Sequence, residues 1–253
     1  MWRKGVLMKK KYILIYLILF CMLLYSGEKI YKWYKENNES NNIMEQINNS
    51  VIVENDNSDE GKEKYKIDFK SLKEQNNETV AWIKVNNTNI EYPIVRAKDN
   101  EFYLTHSFNK KINSAGWIFA DYKNKFDNTD KNIVIYGHNR RDNSMFGSLK
   151  KVLKSEWYNN KENEKIILNT EKQNNIYQIF SIYKIEEEDY YIKTEFKDDS
   201  EFEKFTQTIK ERSIKDFKID VSKKDSILTL STCANNNKYR VVVHAKKIIE
   251  GEQ

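Results

Sequence analysis

The hydrophobic pattern begins with a charge-free run over residues 12–27 (YILIYLILFCMLLYSG), preceded directly by Lys9, Lys10 and Lys11. Such a run is slightly short of the roughly 20 residues of an ideal spanning helix, but Tyr, Ser and flanking Lys sit readily at the membrane interface. The basic flank predicts a cytoplasmic N-terminal tail over residues 1–11. A cleavable signal peptide is the competing reading. Tyr25-Ser26-Gly27-Glu28 offers no clean small-x-small cleavage site, so an uncleaved signal-anchor over residues 12–28 is expected, with the rest of the chain extracytoplasmic. Tyr31, Trp33 and Tyr34 then resemble an interfacial aromatic cluster.

The pattern fades next. From about residue 36 to 64 the chain is rich in Asn, Glu, Ser and Lys with few large apolar residues, so residues 29–65 read as a stalk or weakly helical linker. A short helix is expected near 67–75, with Phe69 and Leu72 on one face. Beyond it the period shortens to two. Strands are predicted at 80–85, 90–95, 116–121, 132–136, 165–169, 176–185, 226–233 and 239–249, short and rich in Ile, Val and Tyr. Two helices interrupt them. One spans 144–158 with a stripe of Phe146, Leu149, Val152, Leu153 and Trp157. The other starts at Ser200, with Ser200 and Glu203 as a capping box ahead of Phe202, Phe205 and Ile209. Many strands with few helices predict a mainly β domain over residues 66–253, closed or nearly closed into a barrel.

Composition excludes more than it identifies. The 253 residues are 39% hydrophobic and 13% aromatic, enough for a packed core, and the net charge is a modest +5. Several of the positive charges lie in the N-terminal tail, and no Arg-rich stripe with interleaved aromatics follows, so no nucleic-acid partner is expected. No His-x-x-x-His or Cys-x-x-Cys spacing suggests a metal, and no glycine pattern suggests a nucleotide, so neither metal nor cofactor is expected. The run Glu186-Glu187-Glu188-Asp189 lacks calcium-loop spacing and reads as a solvated turn.

The two cysteines, Cys21 and Cys233, cannot pair if the first lies in a membrane, which leaves an exported domain with one thiol. Cys233 ends the strand Thr229-Leu230-Ser231-Thr232-Cys233 at the lip of a polar loop. Alternation puts Thr229, Ser231 and Cys233 on one face. Position alone leaves a structural thiol and a nucleophile both open. The next strand carries Arg240, Val242 and His244 on one face. A connecting loop of six residues (234–239) makes Cys233 and Arg240 opposite partners, with Cβ atoms ~5 Å apart. An Arg there favours a thiolate and donates to a developing oxyanion. Of the three histidines, His138 leaves a strong apolar strand through Gly137 onto a loop, a placement suited to an acid/base. His106 reads as a surface residue. His244 lies ~13 Å along the strand from Arg240.

Together TLSTC (229–233), the His of YGHN (136–139) and Arg240 in YRVVVHAK resemble the sortases, and class B in particular. The resemblance extends over roughly 68–249 and includes NIEYPIV, DNEFYL and the MFGSL helix start. It implies an eight-stranded sortase β-barrel preceded by N-terminal helices. It also implies a cysteine transpeptidase that cleaves a C-terminal sorting signal (Asn-Pro-x-Thr-Asn-like) of surface proteins after Thr. The acyl group then passes from a thioester to an amine of a lipid-linked peptidoglycan precursor. By the same resemblance Cys233, His138 and Arg240 form the catalytic set and Ser231 contacts substrate. Local alignment adds Asn100, Leu104, Tyr191 and Ile192. Some class B members have an acidic residue directly after the cysteine, where this chain has Ala234. Alternatives are a pilin-polymerising sortase, a plain extracytoplasmic cysteine peptidase, an L,D-type transpeptidase (which needs a His shortly before the Cys), and a non-catalytic binding barrel.

Overall fold

The computed structural model describes residues 2–55, 63–233 and 238–248, and side chains within 12–51, 66–232 and 238–248. The chain divides into two compact units, Met1–Asn42 and Ile43–Gln253. Helix α1 runs without interruption from Trp2 to Asn48. Its apolar stretch is exposed from Tyr12 to Tyr25, and by length and composition it suffices to cross a membrane. Apolar residues around the whole circumference suit lipid rather than water. Helix therefore continues well into the segment read as stalk, and Ile43 and Ile47 are buried in the core of the second unit. Composition averaged over that segment hid these two residues, which lie one turn apart.

After α1, β1 (Val51–Asn55) pairs antiparallel with β2 (Glu63–Ile67). Helix α2 (Phe69–Gln75) follows, its first turn capped by the Asp68 carboxylate accepting from the Ser71 amide, and it buries Phe69 and Leu72. The remaining elements are β3 (Thr79–Val85), β4 (Ile90–Val95), β5 (Phe119–Ala120), β6 (Asn132–His138), α3 (Ser155–Tyr158), β7 (Lys165–Asn169), β8 (Asn174–Glu186), α4 (Asp199–Glu211), β9 (Ile227–Cys233) and β10 (Tyr239–Ile248). Eight strands close a barrel in the order β10-β8-β7-β3-β4-β5-β6-β9. This is the eight-stranded barrel that the family resemblance implies, and closure gives each barrel strand a neighbour on both sides.

Three local expectations shift. The strand over 116–121 shrinks to β5, because Gly116 turns the backbone at φ +60° and the Trp117 amide bonds the Tyr103 carbonyl. The helix over 144–158 becomes a 3-10 turn (Gly147–Leu153) followed by α3. Asn143 (φ 65°) and Met145 (φ 49°) occupy the left-handed region, which prevents helix from starting before them. The apolar stripe is nonetheless used, with Phe146, Leu149, Val152 and Trp157 all buried. Helix α4 is capped by Asp198, whose carboxylate accepts from the Glu201 amide, two residues before the predicted Ser200.

The strands around the site separate their two faces. Leu228, Leu230, Val241, Val243 and Ala245 join the main core. Ile227 and Val242 join a second cluster outside the barrel wall with Phe180, Tyr183, Tyr191, Phe202, Phe205 and Ile209. Helix α4 thus covers the outer face of β9 and β10. On that face lie Thr229, Ser231, Arg240 and His244.

Candidate active site

Strands β6 and β9 run parallel as neighbours, and their ladder aligns Val134 with Thr229, Tyr136 with Ser231 and His138 with Cys233. Hydrogen-bonded strands lie about 5 Å apart, so the two strand ends deliver His138 and Cys233 side by side. Strand β10 pairs with β9 on its other edge, antiparallel, with Val242 opposite Ser231 and His244 opposite Thr229. The same register carried two residues further sets Cys233 opposite Arg240, as a six-residue loop requires. At this end Thr232 Oγ1 accepts from the Val241 amide at 2.9 Å. The Cys233 side chain and residues 234–237, Ala234 among them, lie outside the described residues.

His138 is buried, and its Nε2 sits 2.6 Å from the Leu104 carbonyl. A carbonyl only accepts, so Nε2 bears the proton and Nδ1 is the basic nitrogen of the neutral ring. Nδ1 is buried and has no hydrogen-bond partner among the described residues. Burial lowers the pKa of His138, the bond to Leu104 opposes that shift, and the positive charge of Arg140 adds to it. The ring is therefore neutral near pH 7. Arg140 is itself tied to Asp142 by a 2.8 Å ion pair and to Ser144 Oγ at 2.9 Å. Burial raises the Asp142 pKa, but hydrogen bonds from Arg140 and Ser144 outweigh it and hold the carboxyl at about 2. Two glycines make room. A Cβ on Gly116 would stand 2.8 Å from His138 Cδ2 and 2.9 Å from the Leu104 carbonyl oxygen, and one on Gly137 would stand 2.7 Å from the Phe146 ring.

Arg240 is also buried. One guanidinium nitrogen, Nη2, binds the Glu187 carboxylate, while Nη1 is buried with no partner among the described residues. A buried donor or acceptor left open costs free energy unless something fills it, and among the described residues His138 Nδ1 and Arg240 Nη1 are both open near the end of β9. Glu187 belongs to the acidic run read as a solvated turn. Its neighbours are paired as well, Glu186 with Lys238 at 2.7 Å and Glu188 with Arg212. Neither the spacing nor the charge of that run indicated these partners, since they come from the start of β10 (Arg240), the residue before it (Lys238) and the residue after α4 (Arg212).

The other sequence candidates differ in their distance from this face. Ser231 is buried, and its hydroxyl lies 3.1 Å from the Tyr191 hydroxyl. Ile192 is partly buried between the two clusters. Leu104 offers its carbonyl to His138, a role its side chain gave no hint of. Asn100 is held by Asp121, donating to Oδ2 at 2.8 Å and accepting from the Tyr122 amide at 3.0 Å. His106 stacks on Phe102 at 4.0 Å and contacts its carbonyl. His244, on the same face of β10 as Arg240, is fully buried and bonded to Tyr183 and Thr229. Sequence alternation identified that face but not the neighbours α4 brings to it. Among the described residues no cluster of three His, Cys, Asp or Glu side chains arranges itself as metal ligands.

A family model for the Sortase domain matches residues 83–248. Sortase B of Listeria monocytogenes is 33% identical over 238 residues, covering 92% of this chain and 94% of that protein. The crystal structure of Clostridium perfringens sortase B superposes with a TM-score of 0.67 at 38% identity, covering 72% of this chain and 100% of that one. A Staphylococcus aureus sortase B–substrate complex gives a TM-score of 0.68 at 34% identity, covering 73% and 86%.

Proposed function

Because this chain belongs to the sortase family and is a cysteine transpeptidase of its class B, we propose that Cys233 is the nucleophile, His138 the acid/base and Arg240 the oxyanion partner. The observation that carries the assignment is the alignment of His138 with Cys233 in the β6–β9 ladder, with His138 Nδ1 and Arg240 Nη1 both buried and open among the described residues. The bond to Leu104 leaves Nδ1 as the only basic atom of the ring. Nδ1 takes the thiol proton and the thiolate attacks the Thr carbonyl of the sorting signal. Arg240 Nη1 donates to the oxygen as it gains charge. The C–N bond breaks as Nδ1–H protonates the leaving amine, which leaves a thioester on Cys233. An incoming amine then attacks the thioester and gives its proton to Nδ1, and the thiol is regenerated.

The substrate in this reading is a surface protein with a C-terminal Asn-Pro-x-Thr-Asn-like signal, and the acceptor an amine of a lipid-linked peptidoglycan precursor. Ser231, Tyr191, Ile192, Leu104 and Asn100 form the signal groove. Residues 12–28 anchor the chain as a single-pass segment with residues 1–11 cytoplasmic, residues 29–65 bridge, and residues 66–253 act outside the membrane. The test is a fluorogenic Asn-Pro-x-Thr-Asn peptide with an added amine. Cys233→Ala and His138→Ala should each abolish cleavage, and an acyl adduct on Cys233 should appear by mass spectrometry. Cleavage surviving in Cys233→Ala would sink the assignment. Cleavage that never yields amide would leave a cysteine peptidase.

A further inference from the structure

His244 takes no part in the chemistry above, yet it sits at the middle of a buried hydrogen-bond chain whose direction is determined. Thr229 Oγ1 donates to Asn132 Oδ1 at 2.8 Å. Its proton is thereby used, so it accepts at 2.9 Å from His244 Nδ1–H. Nε2 of the ring is then the acceptor, and it receives the Tyr183 hydroxyl proton at 2.8 Å. Arg212 lies near Tyr183, its positive charge acting on that hydroxyl, and pairs with Glu188. At the other end Asn132 Nδ2 donates to the Lys193 carbonyl at 2.8 Å. Every link has one donor and one acceptor. Of the two neutral tautomers, only the one protonated on Nδ1 satisfies both neighbours.

The two ends of the chain have a topological meaning. Glu188 and Lys193 flank the 3-10 turn Tyr190–Ile192. That turn is tied to β9 at a third point, where the Tyr191 hydroxyl meets Ser231 Oγ. The relay thus straps both ends of the Tyr191–Ile192 wall to the outer face of β6, β9 and β10, the strands that deliver His138, Cys233 and Arg240.

We propose that His244 is a positioning residue for sorting-signal recognition. Through Thr229 and Asn132 on one side, and Tyr183 and Arg212 on the other, it holds the Tyr190–Ile192 turn at a set height above β9. This rests on the reading of Tyr191 and Ile192 as groove residues.

The test uses the full chain in detergent micelles with the fluorogenic Asn-Pro-x-Thr-Asn peptide. Thr229→Val keeps the shape and cuts the relay, Thr229→Ser restores the hydroxyl, and His244→Gln replaces the ring with a donor and an acceptor. Thr229→Val should raise KM about five- to tenfold, the loss of roughly one hydrogen bond, with kcat within about twofold. Thr229→Ser should return KM to its original value. Amide hydrogen exchange at 190–193 should quicken in Thr229→Val, while that of β3 and β4 should not. An unfolding midpoint that falls while KM and local exchange stay unchanged overturns the proposal, since His244 would then be a structural group only. Failure of the unaltered chain to cleave the peptide counts against the substrate reading, and the exchange comparison still decides the positioning role. Unchanged KM in Tyr191→Ala and Ile192→Ala would remove the groove assignment and the proposal with it.

Discussion

Acid should destabilise this protein through His244 before any carboxylate contributes. Burial, and secondarily the positive charge of Arg212, lowers the His244 pKa from 6.5 to about 3. The folded state therefore holds the ring neutral, while the unfolded chain takes up a proton below pH 6.5. Stability from this group is fully present above that pH and drains away as pH falls toward 3. At pH 5 the gap to the unfolded value is 1.5 units, so His244 alone removes about 2 kcal/mol relative to pH 7.5. That figure is insensitive to the folded pKa as long as it stays below 5. His138, also lowered by burial, acts with the same sign. Asp142, held at about 2, keeps its contribution down to about pH 4 and loses it only below, so the window from 7.5 to 5 isolates the imidazoles. Urea unfolding of the full chain in detergent, followed through the buried Trp82, Trp117 and Trp157, measures the difference. In His244→Gln the loss between pH 7.5 and 5 should shrink by about 2 kcal/mol. Parallel losses in the two proteins would refute the claim that this ring is buried neutral.

Two further outcomes follow from the site. Arg240→Lys should lower kcat/KM by about 10²–10³-fold with the fold intact, because an ammonium lacks the fork that binds Glu187 with one nitrogen and leaves another for the oxyanion; near-normal turnover of the peptide would contradict it. Gly116→Ala should lower both stability and kcat, the first by at least about 1 kcal/mol for a side chain at positive φ. The second follows because its Cβ meets His138 and the carbonyl that sets the ring's tautomer. Kinetics alongside unfolding will show whether the two losses occur together.

The barrel strands were legible because short apolar runs are set between Asn-bearing turns, as in β4 and β7, whose limits match their sequence readings residue for residue. Strand β5 was overdrawn because a left-handed Gly116 interrupts an otherwise β-rich run, and period-two patterning carries no information about φ. The residues proposed as nucleophile and acid/base stood out in the sequence for a related reason. His138 and Cys233 each end an apolar strand, and strand ends are where a chain leaves the core.

Pairing was the step that sequence patterning left open. Alternation places Thr229, Ser231, Arg240 and His244 on outward faces, which by itself suggests solvent. Helix α4 and the turn after β8 cover those faces, so polar side chains that a pattern assigns to the surface are buried and need partners. This explains why Glu187, Glu188, Tyr183 and Asn132 escaped notice: their roles come from elements distant in sequence that close over the barrel wall. It also explains why two kinds of polar residue coexist there. Those closed by partners, such as His244, hold the wall in place. Those open among the described residues, His138 Nδ1 and Arg240 Nη1, lie at the ends of β6 and β10 beside Cys233, where the proposed chemistry would use them.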